Sequence, residues 1–424
     1  MPDVMHLSQR ARWAGSQPIS QLMHLALAHP NLISLAAGFV DEETLPVEPT
    51  RAAIAAVLAD PRRARAALQY GTTPGYGPLR EAVLARLIAA DGAGVAESKL
   101  SIDQVVVTAG SNQMLHLVGE TLLDPRDIVL CAAPSYFVFL GMLGNQGARS
   151  VGVASDEQGM LPEALEEELK RQQRAGELPR VKAIYVTSYY DNPGTTTLPI
   201  DRRQRIVEIA KRWSRDTHIY VIDDAAYRPL RYEGPDVPSL RHFDEEGDTV
   251  IVAETFSKCY SPGIRVGWGI LPPELVEPIC NQKGNIDFGS PNFSQHVMAA
   301  VLELGLLDPY VELLRANYRQ KLEAMLQAAD EFLAPLNGVS WQRPTGGLYV
   351  WLRLPAHIDT GPDGWLMHRA LDEGVLYVPG EYCYPAEGQP KQTNMIRLSF
   401  GVQSAGKIRR GVEALARAIA QGPG

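Results

Sequence analysis

Lys258 closes the stretch Glu254-Thr255-Phe256-Ser257-Lys258, which follows the apolar run Val250-Ile251-Val252-Ala253 and leads into Pro262-Gly263-Ile264-Arg265. Desolvation penalises an ammonium at the end of a buried strand. Such a lysine is either neutralised or in covalent use through its amine. Thr255, Ser257 and Arg265 supply hydroxyls and a guanidinium, the groups that cradle a phosphate. The plain alternative is a surface Ser-x-Lys, and the apolar run before it argues against that.

Five further pieces supply complementary atoms. Thr108-Ala109-Gly110-Ser111-Asn112-Gln113 follows a β-like run and opens a helical pattern. The helix N-terminus around Gly110, Ser111 and Asn112 is an anion site, with a simple Ser cap as the alternative. Tyr136, in Pro134-Ser135-Tyr136-Phe137, can stack on a planar ring or be ordinary core. Asn192, in Tyr190-Asp191-Asn192-Pro193-Gly194, can donate its amide to a phenolate or carboxylate, or simply turn the chain. Asp223 and Asp224 end an apolar run, and a carboxylate there can keep a ring nitrogen protonated. Asp224 is the better candidate because it stands three residues before Tyr227, whose hydroxyl can bond a ring phenolate. Paired acids could also bind a metal, but no His or Cys neighbours accompany them, and no metal is expected. Arg397 lies inside Met395-Ile396-Arg397-Leu398-Ser399-Phe400, where a bidentate carboxylate or a structural salt bridge would satisfy it. Phosphate, ring face, phenolate, ring nitrogen and substrate carboxylate are together the parts of pyridoxal 5′-phosphate and an amino acid. Lys258 is then the expected covalent anchor, and its freed amine the base and acid that moves the α-proton.

The elements that must position these residues are legible as runs. Val105–Thr108, Ile128–Cys131, Ala183–Thr187, Ile219–Asp223 and Val250–Ala253 are continuous apolar stretches, as expected for strands covered on both faces. Met114, Leu115, Val118 and Leu122 share one helical face, as do Ile206, Ile209, Ala210 and Trp213. Alternation of this kind predicts an α/β fold with a mainly parallel sheet between helices, and ligands beyond the strands' C-terminal ends. Beyond Asp308-Pro309 a helix is expected over Tyr310–Leu333. Strands at Gly347–Trp351 and Met395–Ser399 and a closing helix follow. The expected division is 1–49 as an N-terminal segment of a small domain, 50–309 as the large cofactor-binding domain, and 310–424 as the rest of the small α+β domain.

The 424 residues carry 40 Lys+Arg against 49 Asp+Glu, a formal charge of -9 without basic clusters. That argues against nucleic acid or an anionic membrane as partner. Met1 to His6 has neither apolar core nor basic leader, so no signal peptide is expected. The apolar stretch Cys131–Gly144 is too short to span a membrane and contains a proline. Four scattered cysteines suggest reduced thiols in a cytoplasmic protein, with Cys259 a small filler beside the lysine.

On these residues the chain resembles the class I/II aminotransferases, fold-type-I pyridoxal-phosphate enzymes of aspartate-aminotransferase-like fold. Asn192-Pro193, Asp224-x-x-Tyr227, Ser257-Lys258 and Arg397 stand in the family's order and spacing, and the similarity runs from Ser34-Leu35-Ala36-Ala37-Gly38 to Arg397. It is most similar to the branch that includes 2-aminoadipate and broad-specificity transaminases. The resemblance implies ping-pong transfer between an L-amino acid and a 2-oxo acid. It also implies Gly38 at the substrate and a homodimer in which Tyr70, in Gln69-Tyr70-Gly71, reaches the neighbour's cofactor phosphate. Two departures stand out. Asp191 replaces a customary glutamine before the asparagine, and Pro18-Ile19-Ser20-Gln21-Leu22 lacks the arginine of several dicarboxylate users. A neutral, aromatic or aliphatic substrate is therefore expected. The same pieces serve pyridoxal-phosphate lyases and synthases, and also regulators with an aminotransferase-like module behind a DNA-binding head. The motifs do not separate transamination from the lyases and synthases, and transamination is the expectation; the regulator reading is set aside because the match begins within the first few dozen residues and the charge is acidic.

Overall fold

The computed structural model describes residues 7–15, 18–29, 31–36, 38–92, 100–389 and 391–422. Met1 to His6 and Ala37, which enter the sequence reading, lie outside these.

The five apolar runs form strands: β1 (Val105–Thr108), β2 (Ile128–Ala133), β4 (Val181–Thr187), β5 (Tyr220–Asp224) and β6 (Val250–Thr255). Two more, β3 (Arg149–Asp156) and β7 (Gly267–Ile270), were not anticipated. After the long helix Leu307–Phe332 come β8 (Ser340–Trp341), β9 (Tyr349–Arg353), β10 (Val378–Pro379), β11 (Glu387–Gly388) and β12 (Met395–Ser399). The large sheet runs β11-β3-β2-β4-β5-β6-β7-β1, with Gly159–Met160 hairpinned onto β3. Neighbours are parallel except β7, which is antiparallel to both β6 and β1.

Side chains alternate between two cores on the faces of this sheet. Val105 and Val107 enter one, and Val106 enters the other with Val129, Ala183 and Ile251. Both faces are apolar because helices cover both. The helix Ser111–Leu122 buries Met114, Leu115 and Val118, and Ile200–Trp213 buries Ile206, Ile209 and Ala210.

The small sheet, β8-β9-β12-β10, is antiparallel, and the last helix, Ala405–Gln421, packs along Leu307–Phe332. The N-terminal segment joins this part of the molecule. Ile33–Ser34 pairs with Val375–Leu376, and buried Asp41 accepts from Lys321 Nζ at 2.9 Å and Asn317 Nδ2 at 2.7 Å on the long helix.

Candidate active site

The C-terminal ends of β1, β2, β4, β5 and β6 open on one cavity of about 240 Å³. Lys258 reaches it from the connection between β6 and β7, which Phe256 N closes by donating to Val266 O at 3.0 Å. Lys258 Nζ donates to the Gly38 carbonyl at 2.9 Å. The neighbouring Cys259 is a filler residue, its thiol pushed up to about 12 by burial.

One end of the cavity is built for an anion. Gly110, at φ +84°, opens the helix Ser111–Leu122, and a Cβ there would lie 2.8 Å from Arg265 Nη2. Arg265 adopts a left-handed backbone, φ +52°, and donates from Nη2 to Ala109 O at 2.8 Å. Thr255 Oγ1 and Ser257 Oγ stand 2.9 Å apart beside it, and Ser111 and Asn112 complete this wall. Hydroxyls, a guanidinium and the helix N-terminus thus converge.

The middle holds Tyr136, Tyr227 and Asp224. Tyr136 is partly buried, and desolvation pushes its phenol above the usual range, with Asn112 pulling the other way. Asp224 Oδ2 accepts from Tyr185 OH at 2.9 Å and Oδ1 from Ala226 N at 3.3 Å. Burial pushes its pKa up to about 6 against these bonds. Asp223 turns away, accepting from Ser188 Oγ at 2.5 Å and Leu240 N at 3.0 Å, so it serves the scaffold.

Arg397, 1% exposed, stands one layer behind the wall. Its Nη1 donates to Asn192 Oδ1 at 2.8 Å and its Nη2 to Ala36 O at 2.9 Å. Nε has no partner, and the guanidinium's bonds among the described residues go to an amide and a carbonyl, not to a carboxylate. The salt-bridge alternative is therefore not what the structure shows. Asn192 rides on a loop clasped by the unusual Asp191, whose Oδ1 accepts from Thr196 N at 2.6 Å and Thr196 Oγ1 at 2.8 Å. Burial pushes Asp191 up to about 6, with these bonds opposing.

Of the expected site residues, Tyr70 alone lies away from this centre. It is 80% exposed and meets Phe288 edge-on. Tyr185, Thr187, Phe39, Val40 and Tyr349 are additional members that sequence reasoning missed. Tyr185 carried one signal: it lies two positions before Thr187, the register partner of Asp224.

These residues fit pyridoxal phosphate. A cradle closed by Gly110 and lined with hydroxyls and Arg265 suits the phosphate. A buried carboxylate suits a cationic ring nitrogen, and the orphaned Arg397 Nε awaits an anion. Comparison with known proteins agrees. Residues 30–415 match the family model for aminotransferase class I and II. The aromatic-amino-acid aminotransferase 1 of Thermococcus litoralis is 34% identical over 98% of this chain and 94% of its own length. The 2-aminoadipate transaminase of Thermus thermophilus is 33% identical over 95% and 93%. Among solved structures, Pyrococcus horikoshii kynurenine aminotransferase in complex with PMP superposes with a TM-score of 0.89 at 33% identity, covering 98% of this chain and 97% of that one. The α-aminoadipate aminotransferase of Thermus thermophilus, complexed with N-(5′-phosphopyridoxyl)-L-leucine, gives 0.84 at 31% over 98% and 97%. Geometry and likeness meet at one conclusion: the chain belongs to the class I and II aminotransferases and is a pyridoxal-phosphate-dependent transaminase.

Proposed function

We propose that this transaminase moves the amino group of a neutral amino acid, aromatic or aliphatic, to a 2-oxo acid by a ping-pong cycle, as a homodimer in the cytoplasm. The observation that carries the reading is the meeting of Lys258, Asp224 and Asn192 at one cavity, with Arg397 bonded to Asn192 directly behind its wall. Pyridoxal phosphate, when bound, supplies an electron sink for the pair left as the α-carbon loses its proton. Asp224 keeps the proton on the ring nitrogen, and Tyr227 and Asn192 hold the phenolate. Tyr136 covers the ring face. Ser111, Thr255, Ser257, Arg265 and the amides at Gly110 and Asn112 hold the phosphate, joined by Tyr70 from the partner subunit. Arg397 and Asn192 hold the α-carboxylate beside Gly38. Lys258 would anchor the cofactor between turnovers, and its amine would act as the base and acid that moves the α-proton. Segments 1–49 and 310–424 act as the small domain over the large one, 50–309.

Support for a neutral side chain is local. Phe39 and Val40 line the cavity beside Gly38. Relatives include an aromatic-amino-acid aminotransferase. A panel of amino donors, scored by loss of the bound cofactor's absorbance, should favour aromatic and aliphatic amino acids over aspartate and glutamate. Faster reaction with the acidic pair would refute the substrate reading. Lys258→Ala should lose the covalent absorbance and turnover together; retained turnover would refute the mechanism.

A further inference from the structure

Tyr349 plays no part in the roles above, yet it sits on the seam between them. It belongs to β9, whose Trp351 is the register partner of Arg397 on β12. Two residues along, on the same face, the Tyr349 ring lies against Arg397, with the guanidinium carbon 4.2 Å from its centroid. Its hydroxyl stands 3.1 Å from that of Tyr227, the two rings edge-on at 74°. A Cβ placed on Gly38 would lie 3.1 Å from the same hydroxyl, and the Gly38 carbonyl is the acceptor of Lys258 Nζ. One phenol, 1% exposed, therefore touches the carboxylate clamp, the tyrosine that holds the ring phenolate, and the segment that holds the anchor lysine.

The ring alone would support Arg397, and a phenylalanine would supply it. The hydroxyl is additional chemistry in a dry place, where charge is felt strongly. Burial pushes Tyr349 up, but the Arg397 and Lys258 charges and the Tyr227 hydrogen bond outweigh it and hold it below the ordinary phenol value. Tyr227 goes the other way, held well above by burial and by Tyr349 itself. The remaining titratable groups facing Tyr349 are Cys383, Tyr136 and Tyr318. The split within the Tyr227–Tyr349 pair therefore rests on Arg397 and Lys258.

We propose that Tyr349 is a positioning residue that couples occupancy of the carboxylate site at Arg397 to the proton balance at Tyr227 and Lys258. A carboxylate paired with Arg397 cancels the charge that favours negative character on the Tyr349 oxygen. The shared hydrogen bond with Tyr227 then readjusts beside the anchor lysine. No bond between heavy atoms is made or broken in this step: the O–H bond on one phenol breaks as that on the other forms, and the net charge of the pair is unchanged.

The proposal rests on Arg397 as the carboxylate clamp and Lys258 as the anchor, and the test separates the two readings. Tyr349→Phe keeps the ring and deletes the hydroxyl. The pH midpoint of the bound cofactor's absorption band is measured in wild type and variant, each with and without 3-phenylpropionate, a carboxylate that has no amine. In wild type the carboxylate should shift the midpoint. In Tyr349→Phe the shift should shrink by about half to one pH unit, the size one hydrogen bond produces. In the cofactor-free protein, ultraviolet titration should show an early-ionising tyrosine that Tyr349→Phe lacks. Equal shifts in both proteins would overturn the coupling and leave the clamp standing. A wild type blind to the carboxylate would overturn the clamp and the coupling together. Tyr227→Phe removes the same hydrogen bond from its other end and should reproduce the diminished shift; a full shift there would also overturn the coupling.

Discussion

Asp224 shows what a single buried side chain contributes before any ligand arrives. Its folded pKa is pushed up to about 6 by burial, above the unfolded value near 3.8. The folded state therefore binds this proton more tightly, and the contribution to stability is unfavourable once the carboxylate must ionise. The cofactor-free protein should lose stability as pH rises from about 4 to about 6, by at most about 3 kcal/mol from this group. Asp191, Asp223 and Glu254 are also raised, so the readout is the difference between wild type and Asp224→Asn in thermal unfolding across that window. The variant should flatten part of the slope; an unchanged slope would refute the assignment. With cofactor bound, the proton on the ring nitrogen favours the ionised carboxylate, so cofactor stabilisation of the fold should grow over the same range. Lys258, Asp224 and Arg397 were legible because each is a charged group attached to an apolar run, a local contradiction the sequence displays openly. Tyr185 and Tyr349 were not. Each reads as an ordinary strand residue, and its role comes from a neighbour that strand register alone supplies: Asp224 for one, Tyr227 and Arg397 for the other.

The same limit appears at the scale of elements. Five strands were visible as continuous apolar runs, because both sheet faces are covered. The antiparallel β7, Gly-Trp-Gly-Ile, was not, because glycine weakens the strand signal and its reason for being there is tertiary. A Cβ on Gly267 would lie 2.5 Å from Ser111 N and 2.6 Å from Gly110 C, and one on Gly269 would lie 2.6 Å from Met114 Cε. The start of the phosphate-facing helix is seated directly on this bare backbone. Gly267→Ala should therefore push that helix start outward, destabilise the cofactor-free protein by about 1–3 kcal/mol, and weaken cofactor retention. Gly144→Ala is the natural comparison. It lies in the helix Phe137–Asn145, and a Cβ there meets no described atom within 4 Å. It should stabilise by up to about 1 kcal/mol. Thermal unfolding of the two variants side by side checks the sign; similar effects would mean that the close approach at Gly267 is immaterial. β3 was missed for a different reason. Its run, Arg-Ser-Val-Gly-Val-Ala-Ser-Asp, is broken by small and polar residues, since beyond β2 it pairs with just two short strands among the described residues, β11 and Gly159–Met160.

At the scale of the whole molecule, one expected site residue is stranded. Tyr70 is 80% exposed, it contacts Phe288 at 62%, and Leu68 nearby in sequence is 72% exposed. Large apolar side chains gathered on one surface signal a partner rather than a solvated face. A second copy of the chain, placed about a two-fold axis, would bury them and carry each Tyr70 to the other's cavity. Sedimentation should accordingly give twice the chain mass. The sharper check is complementation. Lys258→Ala and Tyr70→Ala are each expected to be inactive or nearly so. In a mixed dimer, one chain carries Lys258→Ala and the other Tyr70→Ala. If Tyr70 serves across the interface, the cavity of the first chain suffers both substitutions and is doubly defective. The cavity of the second chain then combines its own intact Lys258 with the intact Tyr70 of the first. Remixing equal amounts should restore about a quarter of the wild-type sites, since half the dimers are mixed and each holds one intact cavity. If Tyr70 serves its own cavity instead, every cavity in the mixture keeps one defect and no activity returns.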